Sequence, residues 1–214
     1  MPKYKLIYFN LRARGEIIRL LFSLAGVPFE DYRVDLDEHF NPAAEYAEIK
    51  KAAPFGQLPV LEVDGENLAQ SHAIERFLAR EFGLDGETSL QKAKVDMWIE
   101  GADEILRRVS DNIEEHDAKK KAADKNRIMT VVAPAVLGAL EKTLSLNKGG
   151  FIVGDKLTVA DVAFFSVQDW LKSAYKEEGV SLVAGYKAVD QHLTKISKIP
   201  AVADWVKKRP ETPF

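Results

Sequence analysis

Gln70 and Ser71 stand where an apolar stripe at helical spacing begins, Ala73, Ile74, Phe77, Leu78 and Phe82, so Ser71 reads as a helix N-cap. A helix N-terminus presents unpaired N–H groups and a partial positive charge, and together these hold a carboxylate or a phosphate. Many serines so placed do no more than cap. Thr158-Val159-Ala160-Asp161 is a second and stronger start signal. There Asp161 reaches back to a backbone N–H and Leu157 packs on Val162 as a staple, which makes Asp161 structural. The four histidines, His39, His72, His116 and His192, are scattered without ligand spacing, and no metal site is expected. His72, directly after Ser71, is either a surface residue or one facing an interface or ligand.

Cysteine is absent, which excludes disulfides, thiolate metal sites and any mechanism built on a protein thiol. If sulfur chemistry occurs, the substrate brings the sulfur. The 214 residues are 46% hydrophobic, enough to bury the core of one large domain or two small ones. A net charge of -3, from 30 basic and 33 acidic residues, argues against a nucleic-acid footprint or a broad membrane patch and for small-molecule partners. Lys3, Lys5, Arg12 and Arg14 interrupt the start before a signal-type apolar core can form, and no later run reads as a membrane span. A cytoplasmic location without membrane insertion is the expectation.

The elements that must position these residues follow in order. Tyr4 to Phe9 reads as a strand, and a helix from about Arg14 buries Ile17, Leu20, Leu21 and Leu24 before Gly26 stops it. Phe29 to Val34 reads as a second strand, joined to the first by a parallel crossover. Asp35 to Ala53 is irregular, with a short helix around Ala43 to Lys51. Val60, Leu61 and Val63 form a strand, and Asp64-Gly65 is the two-residue turn that folds it back through Glu66 to Ala69. Pro59 heads that strand, where an X-Pro bond is either cis or trans.

This β-α-β, linker, β-β-α order is that of a thioredoxin-like domain, residues 1–81, although no Cys-x-x-Cys follows the first strand. A polar, glycine-bearing link at 82–87 leads into an all-helical bundle domain, residues 88–214. Ala93, Trp98, Ala102, Ile105, Val109 and Ile113 form one apolar stripe there, and Ile128, Val131, Leu137, Leu140 and Leu144 form another, kinked by Pro134. Lys119 to Lys121 read as a solvated, charge-rich turn between them.

Tyr8 at the end of the first strand, Arg12-Ala13-Arg14-Gly15-Glu16, Pro54-Phe55-Gly56-Gln57-Leu58-Pro59, Gln70-Ser71 and Leu157-Thr158-Val159-Ala160-Asp161 together resemble the cytosolic glutathione transferase family. The start Pro2-Lys3-Tyr4-Lys5-Leu6 and the tail Ile199-Pro200-Ala201-Val202-Ala203-Asp204-Trp205 resemble its sigma class, which includes prostaglandin-isomerising and helminth members. The similarity spans the whole chain.

The resemblance implies glutathione as co-substrate and conjugation to hydrophobic electrophiles, as in detoxification. It gives Tyr8 the hydrogen bond to the glutathione sulfur. Arg14 resembles the arginine that supports the tyrosine, and Lys50 the lysine on the glycine-end carboxylate. Tyr46 stands where the class usually has tryptophan. Gln57 and Leu58, before Pro59, resemble the residues whose backbone pairs with the cysteinyl part. Gln70 and Ser71 resemble the pair on the γ-glutamyl carboxylate, and Asp103, or Glu104 beside it, the acid that a second subunit brings to the γ-glutamyl amine. A homodimer is therefore implied, with Phe55 either inserting into the partner or packing at home.

Two other functions remain open from the sequence: a weakly catalytic binding protein for haem-like or other hydrophobic ligands, and a glutathione-dependent prostaglandin isomerase. Poor isomerisation of prostaglandin H2 is expected, because a pocket-wall tryptophan of the isomerising members is replaced at that level by Ser110-Asp111-Asn112. Leu106, Val109 and Phe214 are the expected lining of an electrophile pocket, supplied with the dimer interface by the helical domain.

Overall fold

The computed structural model of the chain describes residues 2–37 and 40–212, so His39 and Phe214 lie outside the described residues. Contacts divide the chain into two compact units, Met1–Phe82 with Pro200–Phe214, and Gly83–Ile199.

The first unit is built on a four-stranded sheet of β1 (Tyr4–Phe9), β2 (Glu30–Val34), β3 (Val60–Val63) and β4 (Glu66–Ala69), in the order β2-β1-β3-β4. β1 runs parallel to β2 and antiparallel to β3, which pairs with β4 through the tight turn at Asp64 and Gly65, both at positive φ. The sheet is thus thioredoxin-like and mixed. Strand alternation puts Tyr4, Leu6 and Tyr8 on one buried face of β1, while Ile7 on the other packs, as Leu58 does, against the cluster of Ala53, Val60 and Ala69. Two helices, α1 (Ala13–Ala25) and α3 (Ser71–Glu81), pack on each other and on the sheet; α2 (Tyr46–Ala52) is a short helix in the β2–β3 connection.

α1 buries Ile17, Ile18, Leu20, Leu21 and Phe22 and ends at Gly26, whose left-handed φ of 63° returns the chain. Phe22 is completely buried and stacks on Phe29 with ring centroids 4.3 Å apart, a burial worth about 2–3 kcal/mol. The last helix, α9 (Pro200–Lys208), also packs on α1. Trp205 Nε1 donates to Glu16 Oε1 at 2.8 Å, and Ser23 Oγ donates to the Ala201 carbonyl at 2.9 Å. Pro200 onward therefore sits with the first unit, whereas the sequence division placed that helix with the bundle.

The second unit is all-helical: α4 (Ser89–Glu114), α5 (Ala118–Arg127), α6 (Ala133–Leu146), α7 (Val159–Ala184) and α8 (Lys187–Ser197). α4 packs most extensively on α7, where Trp98 meets Phe164 edge-on at 5.7 Å. Lys119 to Lys121 are not in a turn. They lie in α5, because Asp117 caps that helix by accepting the Lys120 N–H at 2.9 Å.

The kink expected at Pro134 takes the form of a π-helical turn, Ile128–Val132, just ahead of it. Proline has no N–H to continue the ladder, and the wider turn absorbs the defect. It also rotates Val131 off the apolar stripe, leaving it 58% exposed. The joined helical run Ala118–Leu146 is long and apolar enough to cross a membrane by length and composition, contrary to the expectation that no such run exists. Ile128, Val132, Ala133, Leu137 and Leu140 are nevertheless buried within the bundle.

α7 breaks regularity at Lys176 (φ 51°, ψ -129°), and Gly179 admits the Leu171 carbonyl where a Cβ would stand 2.2 Å from it. Asn112, at the level expected to line an electrophile pocket, is instead 3% exposed and held in the bundle. It donates to the Lys121 carbonyl at 2.7 Å and accepts from the Tyr175 hydroxyl at 3.0 Å, while Asp111 beside it is exposed.

Candidate active site

Three stretches of the first unit, with Tyr46 at the start of α2, converge on one cavity: the end of β1 with the start of α1, the segment before β3 and the β4–α3 junction. Leu58-Pro59 is cis, Gly56 has φ 62° and Gln70 has φ 72°. The cavity, of about 420 Å³, is lined by Phe9, Arg14, Tyr46, Phe55, Gln57, Leu58, Pro59, Ala69, Gln70 and Ser71. That volume lies in the range of small-molecule sites.

The sequence expected Ser71 to cap α3. It is instead the first helical residue, Gln70 takes the cap position with positive φ, and no side-chain cap bond is made there among the described residues. The helix begins with the Ile74 N–H donating to the Gln70 carbonyl at 3.0 Å, so the N–H groups before Ile74 are those a helix start leaves to other partners. Gln70 and Ser71 bring that start into the cavity wall. His72 is part-buried, its Nδ1 3.0 Å from Glu75 Oε2.

Tyr8 is 5% exposed and is not among the cavity-lining residues. Its hydroxyl oxygen accepts the backbone N–H of Arg14 at 3.3 Å, and Arg14 itself lines the cavity. A phenol oxygen that accepts an N–H keeps its own proton to donate. Tyr46 stacks obliquely on Phe9 with centroids 5.2 Å apart, which fixes the start of α2 against the end of β1. Lys50 is exposed on α2, its stem beside Gly56, and is not among the cavity-lining residues. Asp103 and Glu104 are on α4 in the other unit, where Glu104 Oε1 lies 3.8 Å from Arg108 Nη2. Seven of the expected residues thus share one wall, and Tyr8, Lys50 and Asp103 do not.

Sequence reasoning missed Arg19, a fully buried guanidinium 5.7 Å from the Tyr8 ring centroid. A signal was present. Arg19 interrupts the run Ile17-Ile18-Arg19-Leu20-Leu21 and stands one helical turn after Glu16, another buried charge. Among the described residues, no group of three or more His, Asp or Glu side chains is placed to hold a metal.

Residues 4–80 match the family model for the glutathione S-transferase N-terminal domain, and residues 103–209 the model for the C-terminal domain. The chain is 38% identical over 212 residues to a hematopoietic prostaglandin D synthase of Gallus gallus, covering 99% of each chain. It is 36% identical over 218 residues to glutathione S-transferase 4 of Caenorhabditis elegans, again with 99% of each covered. Among solved structures, it resembles the monomeric glutathione S-transferase Na-GST-3 of the hookworm Necator americanus, with a TM-score of 0.83, 35% identity and coverage of 99% of this chain and 100% of that one. Two domain models in order along one chain, with relatives matched end to end, place it: the chain belongs to the glutathione S-transferase family.

Proposed function

We propose that the cavity of the first unit holds glutathione and that Tyr8 donates a hydrogen bond to its sulfur, preparing the thiolate for attack on a small hydrophobic electrophile. As a glutathione S-transferase, the chain is an enzyme with glutathione as co-substrate. The observation that carries the assignment of residues is the shared wall of Arg14, Tyr46, Gln57, Leu58, Pro59, Gln70 and Ser71. The α3 entrance, with its partial positive charge, takes the γ-glutamyl carboxylate, and Gln70 and Ser71 fix it. The backbone of Gln57 and Leu58 pairs with the cysteinyl part as an added strand would. Lys50 reaches the glycine-end carboxylate from the rim.

At the sulfur, a free thiol ionises near about 8.5, and a hydrogen bond to the charged form favours ionisation, about 1.4 kcal/mol making it tenfold easier. About a hundredfold suffices to make the thiol mostly thiolate at neutral pH. Thiolate is the nucleophile, and conjugation forms one carbon–sulfur bond as the electrophile's leaving group or π bond accepts the electron pair. Retention on immobilised glutathione together with turnover of a chloronitrobenzene tests the reading. Retention without turnover would move the function to ligand binding.

A sigma-class homodimer in the cytoplasm belongs to the same proposal, with Asp103 of the partner subunit approaching the γ-glutamyl amine. The exposed Leu90 and Met97 on α4 support an interface, as does Phe55, 65% exposed on the cavity rim. The monomeric hookworm structure makes the assembly a point to measure: sedimentation should give a dimer at assay concentration, and an active monomer would remove both the dimer and the shared acid.

The relationship to the Gallus gallus protein favours one second reading, glutathione-dependent isomerisation of prostaglandin H2. Conjugation remains the leading activity. Isomerisation at rates matching conjugation in side-by-side assays would reverse that order.

A further inference from the structure

Arg19 has the largest side chain among the completely buried residues described. A guanidinium removed from water must have its donors met. Nε donates to Asp31 Oδ1 at 3.0 Å, Nη1 to the Leu11 carbonyl at 2.6 Å and Nη2 to the Phe9 carbonyl at 3.4 Å. Glu16 Oε2 lies 3.6 Å from Nη1. The two carbonyls directly follow Tyr8, one at the end of β1 and one in the turn that carries the chain from β1 into α1.

The same guanidinium stands against the phenol, and Gly15 makes the approach possible. A Cβ at Gly15 would lie 2.5 Å from Tyr8 Cδ1 and 3.2 Å from Arg19 Nη1. Around Arg19 the facing charges are Glu16 on its own helix, Asp31 and Arg33 on β2, and Arg209 just beyond α9. Of these charges, it is the Arg19 guanidinium that stands against the ring, 5.7 Å from its centroid. Burial first, and then the charge of Arg19, lower the pKa of Arg33 from its usual value, while Asp31 and Glu16 oppose the shift.

We propose that Arg19 is a positioning residue for Tyr8: it clamps the end of β1 and the turn after it through the Phe9 and Leu11 carbonyls and lies against the phenol, fixing the hydroxyl beside the Arg14 N–H. Positive charge near the ring also makes the hydroxyl a stronger donor. The inference rests on the proposed role of Tyr8 at the thiol.

Lysine keeps the charge of Arg19 but loses the planar fork that spans two carbonyls and Asp31. In R19K, turnover at neutral pH should fall about tenfold and the acid limb of the pH–rate profile should move up by about one pH unit, its equivalent. The KM for glutathione should stay within about twofold, because the peptide-end contacts are elsewhere. In a Tyr8→Phe background, R19K should change turnover less than about twofold, since the two residues act as a unit.

Thermal denaturation run alongside separates a structural role, which would lower stability with the parent's profile and overturn the proposal. Additive losses in the double variant would also overturn it. A shifted Tyr8→Phe profile with an unshifted R19K profile refutes Arg19 alone, whereas an unshifted Tyr8→Phe profile removes the role of Tyr8 and this inference with it. If R19K does not fold, Asp31→Asn decides with the opposite sign at smaller size: its amide oxygen can still accept from Nε while a negative charge beside Arg19 is lost, so the acid limb should move down, and an unmoved limb would overturn the proposal.

Discussion

The two helix entrances that looked alike in sequence, at α3 and at α7, are built in opposite ways. At α7, Asp161 is completely buried and accepts from the Thr158 N–H at 2.8 Å, the Thr158 hydroxyl at 2.9 Å and the Ile152 N–H at 2.9 Å. His192 Nε2 stands 3.1 Å from the same carboxylate. That entrance is closed by the chain's own side chains. At α3, Gln70 makes no side-chain cap bond among the described residues, and Gln70 and Ser71 open onto a cavity. A helix start that is satisfied internally holds a fold together, and one left to outside partners can hold a ligand.

The sharpest way to break this contrast is to open the closed entrance. Asp161→Ala leaves two backbone N–H groups and a buried hydroxyl without their acceptor, at a cost of about 4 kcal/mol. Thermal unfolding should fall by about 10 °C for a chain of this size, while the glutathione KM of the folded fraction stays at the parent's value. A parent-like melting curve would show that the capping box contributes little.

The converse changes belong at α3. Gln70→Ala and Ser71→Ala should raise the KM for glutathione, by about tenfold and about fivefold, with turnover at saturation nearly unchanged, as expected for contacts made equally in ground and transition states. Unaltered KM values in both would remove this entrance from the binding site.

A smaller effect concerns Tyr175, whose hydroxyl bridges α7 to Asn112 on α4. Burial first, and the nearby Asp124 second, push its pKa up to about 12. The unfolded chain ionises this phenol near about 10, so stability contributed below that pH is lost as pH rises through about 10 to 12. Tyr175→Phe should lose less stability than the parent across that alkaline window in chemical denaturation. Identical slopes would mean that Tyr175 ionises in the folded protein as it does unfolded.

How much of this was legible depends on whether one local rule decided each element. β1, the Asp64-Gly65 hairpin and the Gly26 stop follow from alternation and positive φ, and they appear as expected. The capping box at Thr158 and Asp161 is also local, and it stands. Ser71 was misplaced because Gln70 adopts a positive φ that shifts the helix start by one residue, a conformation its type does not announce. α5 was missed because its lysine content masks the Asp117 cap. Arg19 and Glu16 are tertiary facts: their burial depends on Asp31, Trp205 and Arg209, brought together from both ends of the chain. The α9 placement follows from the same Glu16–Trp205 bond.

The proposed function requires a cavity for a small peptide beside a phenol aimed at its sulfur. Ultraviolet titration of glutathione bound to the parent and to Tyr8→Phe tests it most directly. The predicted result is a bound thiol with a pKa about two below that of the free thiol in the parent and close to the free value in the variant, with glutathione affinity within about threefold. An equally depressed thiol pKa in both proteins would contradict it.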